Sequence, residues 1–166
     1  MATKEQYDFF KDQYLDEEKR YSDITKRAEI YFSILSVFIT GILFKLKDMF
    51  DLFEKSNEYY KVTGSSLFIV TFCFLGVGFY FITKALRIKT YQSVIDFEKY
   101  RDDLGDTPTA NEDFFDDRII DYMYATEKNE NVNEERAIDL TKALRYIFAG
   151  FISIFVFVIV LIIQRI

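Results

Sequence analysis

Three stretches without a single Asp, Glu, Lys or Arg constrain this chain more than anything else in it: residues 30–44 (IYFSILSVFITGILF), 62–83, and 146–164 (YIFAGFISIFVFVIVLIIQ). A helix needs about 20 apolar residues to cross hydrocarbon about 30 Å thick. The second and third stretches meet that requirement directly. The first has 15 residues, but Lys45 and Lys47 can extend their ammonium groups outward, and Leu46, Met49, Phe50 and Phe53 continue an apolar stripe at helical spacing. The expectation is an all-α integral membrane protein with three transmembrane helices and cytoplasmic helical extensions. Its segments are a cytoplasmic amphipathic helix at 1–29, spans at 30–46, 62–83 and 146–164, an extracytoplasmic loop at 47–61 and a cytoplasmic helical region at 84–145. The alternative of three buried core helices in a water-soluble domain lacks the amphipathic covering such segments require. A cleavable leader also fits poorly, because eight acids precede the first stretch and no small-residue cleavage site follows it.

Basic residues set the expected orientation. Lys19, Arg20, Lys26 and Arg27 precede the first span; Lys84, Arg87, Lys89, Lys99 and Arg101 follow the second; Arg136, Lys142 and Arg145 precede the third. The intervening loop holds Lys45, Lys47, Lys55 and Lys61, and Arg165 is the last base. The positive-inside rule therefore places the N-terminus in the cytoplasm and the C-terminus outside it.

Between the spans, periodicity predicts long helices. Tyr7, Phe10, Tyr14, Glu17, Tyr21, Ile24, Ala28 and Tyr31 follow a 3–4 spacing, the a/d pattern of a helix packed along one seam. Nothing breaks the run into the first span, so one helix is expected to carry both. An amphipathic helix lying on the bilayer is the other reading, and Asp8, Asp12, Asp16, Glu17 and Glu18 count against docking on anionic lipid. The second span is expected to continue as helix over 66–104, with Leu86, Thr90, Val94, Phe97, Arg101 and Leu104 on one face. The breaker Gly105-Asp106-Thr107-Pro108 should end it. A new helix is expected from Thr109 or Asn111 under a capping box with Glu112, bearing Phe115, Ile119 and Tyr122. The polar run 128–133 reads as a turn, with Asn131 or Asn133 capping a last helix through Ala137, Leu140 and Leu144.

Catalytic chemistry finds little support. The chain has no His and one Cys, which removes His-based triads, zinc sites and disulfides. Cys73 is expected to be a buried small hydrophobe, and Gly76 and Gly78 to serve close helix packing rather than phosphate binding. The acidic pairs Asp102-Asp103, Glu112-Asp113 and Asp116-Asp117 could in principle hold Mg²⁺ through paired carboxylates, but charged helix caps and solvated faces explain them more simply. No catalytic residue, metal site or cofactor is expected.

The spans offer more. Ser33, Ser36 and Thr40 form a hydroxyl stripe, and Ala149, Gly150 and Ser153 a small-residue patch. Such residues mediate helix contacts in lipid. In an assembly of several copies, the same stripe could line a pore gated by Phe148, Phe151 and Phe155. The apolar stretches hold no Asp, Glu, Lys or Arg, which argues against a proton-coupled transporter or voltage sensor. The basic residues Lys26, Arg27, Lys84, Arg87, Lys89, Lys142 and Arg145 at the membrane edge either set topology and meet lipid headgroups or hold a phosphate-bearing ligand. A net charge of −6, with ten bases and fifteen acids in 84–145, speaks against general nucleic-acid binding but not against a local nucleotide or oligonucleotide site.

The stretch DEEKRYSDITKRAEIYFSILSVFITGILF, with the second span and KALRIKTYQSVIDFEKYRDDL after it, resembles in layout the small membrane effectors of bacterial anti-phage systems. These include the SLATT-type two-span domains and the membrane effectors of nucleotide-signalling systems such as Hailong. The resemblance covers about residues 14–104. The chain departs from it by adding 109–145 and a third span, and no functional residue carries over. It implies an oligomeric channel, for which a tetramer is one arrangement, in the bacterial inner membrane. There it would depolarise the infected cell under control of a nucleotide signal. A non-conducting membrane scaffold that recruits a cytoplasmic partner is the alternative.

Overall fold

The computed structural model describes residues 3–54, 57–87, 91–94 and 112–165. Among them the protein is all-α, built from α1 (Lys4–Glu54), α2 (Glu58–Leu86) and α3 (Glu112–Arg165). Each helix contains a segment long and apolar enough to cross a membrane.

α1 is a single helix of 51 residues, as its unbroken periodicity predicts. It opens on a capping box: the Gln6 N–H donates to Thr3 Oγ1 at 3.3 Å, and the Thr3 N–H donates back to Gln6 Oε1 at 3.0 Å. Helix continues to Glu54 and resumes at Glu58, so most of the expected 47–61 loop is helical. The Tyr7-to-Tyr31 seam is more buried than the residues flanking it, with Tyr7, Tyr14, Ile24 and Ala28 fully inside.

Two further expectations of helix extent need correction. α2 stops at Leu86 instead of running to 104, and residues 91–94 are not helical. The chain leaves α2 at Arg87, where ψ is 127°. The carbonyl of Ala85, in the last turn, accepts a 2.7 Å bond from Nε of Arg136 on α3. A cation at the negative end of a helix satisfies orphan carbonyls that another turn of helix would otherwise claim. Phe97, Arg101, Leu104, the 105–108 breaker and the caps at Thr109 and Asn111 lie outside the described residues.

The second correction concerns 128–133, which is helix rather than turn, because α3 runs unbroken for 54 residues. Its Asn residues do not end the helix. Asn129 and Asn133 are fully buried and bond across to other segments, while Asn131 donates to the Glu127 carbonyl one turn back. The buried seam of α3 accordingly runs Tyr122, Ala125, Asn129, Asn133, Arg136, Leu140, Ala143, Ile147. The expected Ala137–Leu140–Leu144 face is only partly right, since Leu144 is exposed.

The chain divides into two compact units. The first comprises Met1–Ile24 and Ile88–Glu135, and its core is aromatic: Tyr7, Tyr14, Tyr122 and Ala125, flanked by Phe10, Val94, Phe115 and Ile119. Tyr7 meets Phe115 and Tyr122 edge-on at 5.5 and 5.7 Å, and Tyr14 lies 5.6 Å from Tyr122. These are favoured offset geometries. Partners advance together along α1 and α3, so the two helices are parallel here.

The second unit comprises Thr25–Arg87 and Arg136–Ile166 and contains the three apolar stretches. α1 and α3 run parallel in it, with Thr25 against Arg136 and Phe38 against Phe151 at 4.5 Å. α2 returns antiparallel, pairing Phe68 with Phe157 and Phe81 with Tyr146. Small residues set the approach: a Cβ on Gly78 would lie 2.9 Å from Ile147, and one on Gly150 2.6 Å from Leu75. The packing use expected for Gly78 and Gly150 is what the structure contains. Gly76 faces open space. Cys73 also differs from expectation, because it sits on the outward face of α2, exposed. Helical spacing groups residues on a face without saying which face turns inward.

Candidate functional site

The hydroxyl stripe lies mostly outside the packing of its own unit. Ser33 and Thr40 are exposed and Ser36 is half-buried. Each hydroxyl donates to the carbonyl four residues back: Ser33 to Glu29 at 2.9 Å, Ser36 to Phe32 at 2.8 Å, Thr40 to Ser36 at 2.8 Å. Their donors are therefore satisfied within the helix, and their free lone pairs are acceptors. The hydroxyls used for packing are others. Thr71 donates to Ser153 at 2.8 Å, both buried, and joins α2 to α3 in place of a small-residue contact alone. Among the aromatic positions, Phe148 and Phe155 point outward at 64% and 67% exposure, whereas Phe151 packs on Phe38. The structure does not gather Phe151 with the other two.

The membrane-edge bases separate in the same way. Lys84 pairs with buried Asp139 at 3.1 Å, and the Lys142 ammonium lies 5.6 Å from the centre of the Phe81 ring. Lys26, Arg27, Arg87 and Arg145 are exposed, and Lys89 lies outside the described residues.

Buried polar side chains matter more, and the sequence reading passed over them. Arg136 is 1% exposed; besides the Ala85 carbonyl, it reaches Thr25 Oγ1 through Nη2 at 2.7 Å. One guanidinium fork thus ties α1, α2 and α3 together in the second unit. With Asp139–Lys84 one turn further on, it makes a charged layer directly below the apolar stretches. The signal was available, because Asn129, Asn133, Arg136, Leu140 and Ala143 continue the 3–4 spacing of Tyr122 and Ala125 with polar residues at seam positions.

The first unit contains a polar layer as well. Asn133 Nδ2 donates to the Glu17 carbonyl at 2.8 Å and to Glu17 Oε2 at 2.7 Å, and Arg20 holds the other carboxylate oxygen at 3.2 Å. Asn129 bonds both backbone groups of Gln92, and the Val94 N–H donates to the Tyr14 hydroxyl at 3.4 Å. The Tyr21 and Tyr91 rings lie 4.8 Å apart. Burial holds the phenols of Tyr91 and Tyr14 above their ordinary range, and the negative charge of Glu18 adds to the shift in both. Both hydroxyls stay protonated at neutral pH. Two buried polar atoms in this unit, Thr126 Oγ1 and Asn133 Oδ1, have no hydrogen-bond partner among the described residues. The described residues contain no cluster of three or more His, Cys, Asp or Glu suited to a metal.

No protein-family model, no curated protein and no solved structure matches the chain.

Proposed function

We propose that copies of this chain assemble in a membrane into a gated ion-conducting pore, the second unit forming the conducting part. The observation that carries this reading is the exposed Ser33/Thr40 face of α1. Its hydroxyls donate within α1, and its outward chemistry is that of oxygen acceptors, which suits water and cations. Phe148 and Phe155, exposed on α3, supply apolar faces of the kind that gate by dewetting. The basic edge residues orient the chain with its N-terminus and 84–145 in the cytoplasm of a bacterial cell. Lys26, Arg27 and Arg145 are the groups there for a phosphate-bearing nucleotide signal. The biological setting is anti-phage defence, inferred from the layout resemblance.

Recording from purified protein in planar bilayers tests the pore. Thr40→Leu should lower unitary conductance while cross-linked assembly is retained. Loss of assembly with unchanged conductance per particle would assign the face to packing instead. Absence of conductance with and without nucleotides would leave the second reading, a scaffold for a soluble partner. That reading is favoured by the exposed Ile120, Met123 and Tyr124 on α3, and stoichiometric co-purification of such a partner would support it.

A further inference from the structure

Within the second unit, α1 carries charge at a level where α2 and α3 carry none. Phe50 lies 6.5 Å from Phe68, and Phe68 lies 6.3 Å from Phe157, so these rings mark one level across the three helices. Leu46 and Met49 of α1 line a cavity with Ser65 and Ile69 of α2 at the same level. Beyond it, α2 stays uncharged back to Val62 and α3 out to Ile163, about 9 Å of helix in each. Lys47 and Asp48 stand within one turn of Phe50 on its inner side, beside apolar residues of the other two helices. The Lys45–Asp48 pair, at 3.0 Å, is 64% exposed at both ends. Lys47 and Asp51 are exposed and have no ion-pair partner among the described residues. Helical spacing puts them on one face with Ser33, Thr40 and Phe44, opposite the buried Leu35 and Ile42. Charge at hydrocarbon depth faces protein or a water-filled cavity rather than lipid. A Lys stem can carry its ammonium outward, but the short side chains of Asp48 and Asp51 have no such reach.

We propose that the Phe44–Lys47–Asp51 face of α1 is the contact surface for a second copy of this chain, with Lys47 of one copy paired to Asp51 of the other. This contact rests on the membrane assembly proposed above, names its interface, and does not depend on conduction. Copies inserted in one orientation run their α1 helices parallel and at one depth, so like residues of two copies stand at the same height. The face is then self-complementary. A base and an acid one turn apart let each copy offer Lys47 to the Asp51 of the other, twice across a two-fold axis or once per neighbour around a ring. Asp51 lies outward of Lys47, which is the direction the Lys stem extends. Ser33 and Thr40, deeper on the same face, turn toward the space the copies enclose. An unrelated partner would have to bring matched charges to this depth, whereas a second copy already carries them.

The test co-expresses two full-length chains bearing different affinity tags, extracts them in mild detergent, and measures how much of one is captured with the other. Lys47→Glu should lower capture of its own kind about tenfold, because acids then oppose acids, and Asp51→Lys should do the same with bases. Co-expressed with each other, the two variants should be captured to within about twofold of wild type, since each supplies the charge the other lacks. Wild-type capture by either variant with itself overturns the proposal, and so does mixed capture no better than self-capture. No current enters this measurement, so it and the bilayer recording fail separately. Cross-linking gives a second measurement that leaves the charges in place. In a Cys73→Ser chain, mild oxidation of Phe44→Cys should link two copies about tenfold faster than oxidation of Tyr80→Cys, on the exposed side of α2. Equal rates at the two positions, or no link at position 44, also overturn the proposal.

Discussion

The two units use the same pair of long helices and hold them together by different means. In the first, α1 and α3 meet through large rings, Tyr7, Tyr14, Phe115 and Tyr122, and through buried amides. In the second, rings still meet, as Phe38 does Phe151, but the buried small residues Ala28, Gly78, Ala143 and Gly150 are added at the contacts, and one hydroxyl pair crosses between α2 and α3. The contrast is the one physics expects between helices in water and helices in lipid, and the three apolar stretches of the second unit suit lipid. In water, burying an aromatic side chain is itself a driving force. In lipid, tails are as apolar as the side chains, so helices gain from close van der Waals approach and from hydrogen bonds with few competitors. The change falls between Ile24 and Thr25 on α1 and between Glu135 and Arg136 on α3, where the buried Arg136 fork and the Asp139–Lys84 pair lie on the second unit's side.

Three substitutions probe that contrast. Tyr122→Ala removes the ring on which Tyr7 and Tyr14 converge and should cost the first unit about 3–5 kcal/mol. Denaturant unfolding in detergent should then show an early transition that leaves the apolar helices intact. A single transition shifted as a whole would mean that the two packing modes do not unfold separately. Gly150→Leu drives a side chain into Leu75 and should cost about 1–3 kcal/mol. It should lower the thermal midpoint of the second unit and leave hydrogen exchange around Tyr14 unaltered. Thr71→Val removes the buried bond to Ser153 and should cost only about 0.6 kcal/mol. A loss several times larger would show that the unit depends on hydroxyl bonding more than on close approach.

The ease of reading each part from sequence follows the same physics. The α1 seam was legible because its positions are Tyr, Phe, Ile and Ala, which periodicity registers directly. The three apolar stretches and the packing of Gly78 were legible for similar reasons. The α3 seam was obscured at Asn129, Asn133 and Arg136, because polar residues in a polar run look like a turn until a partner is known. Their partners lie more than a hundred residues away for Asn133 and Arg136, on α1 at Glu17 and Thr25. Cys73 and the Ser33/Thr40 face illustrate a different limit, since spacing gives the membership of a face and packing alone decides its direction. The pairing of Asn129 with the Gln92 backbone had no local signal at all.

The bond from Arg136 to the Ala85 carbonyl has a consequence in time. A ribosome makes α2 before α3, and no Gly or Pro in the chain stands between Gly78 and Gly105 to halt a helix at Leu86. One partner of the last turn of α2 therefore belongs to a helix still to be synthesised. Until Arg136 is made, 51 residues later, the Ala85 carbonyl in the last turn of α2 lacks the guanidinium that meets it in the folded chain.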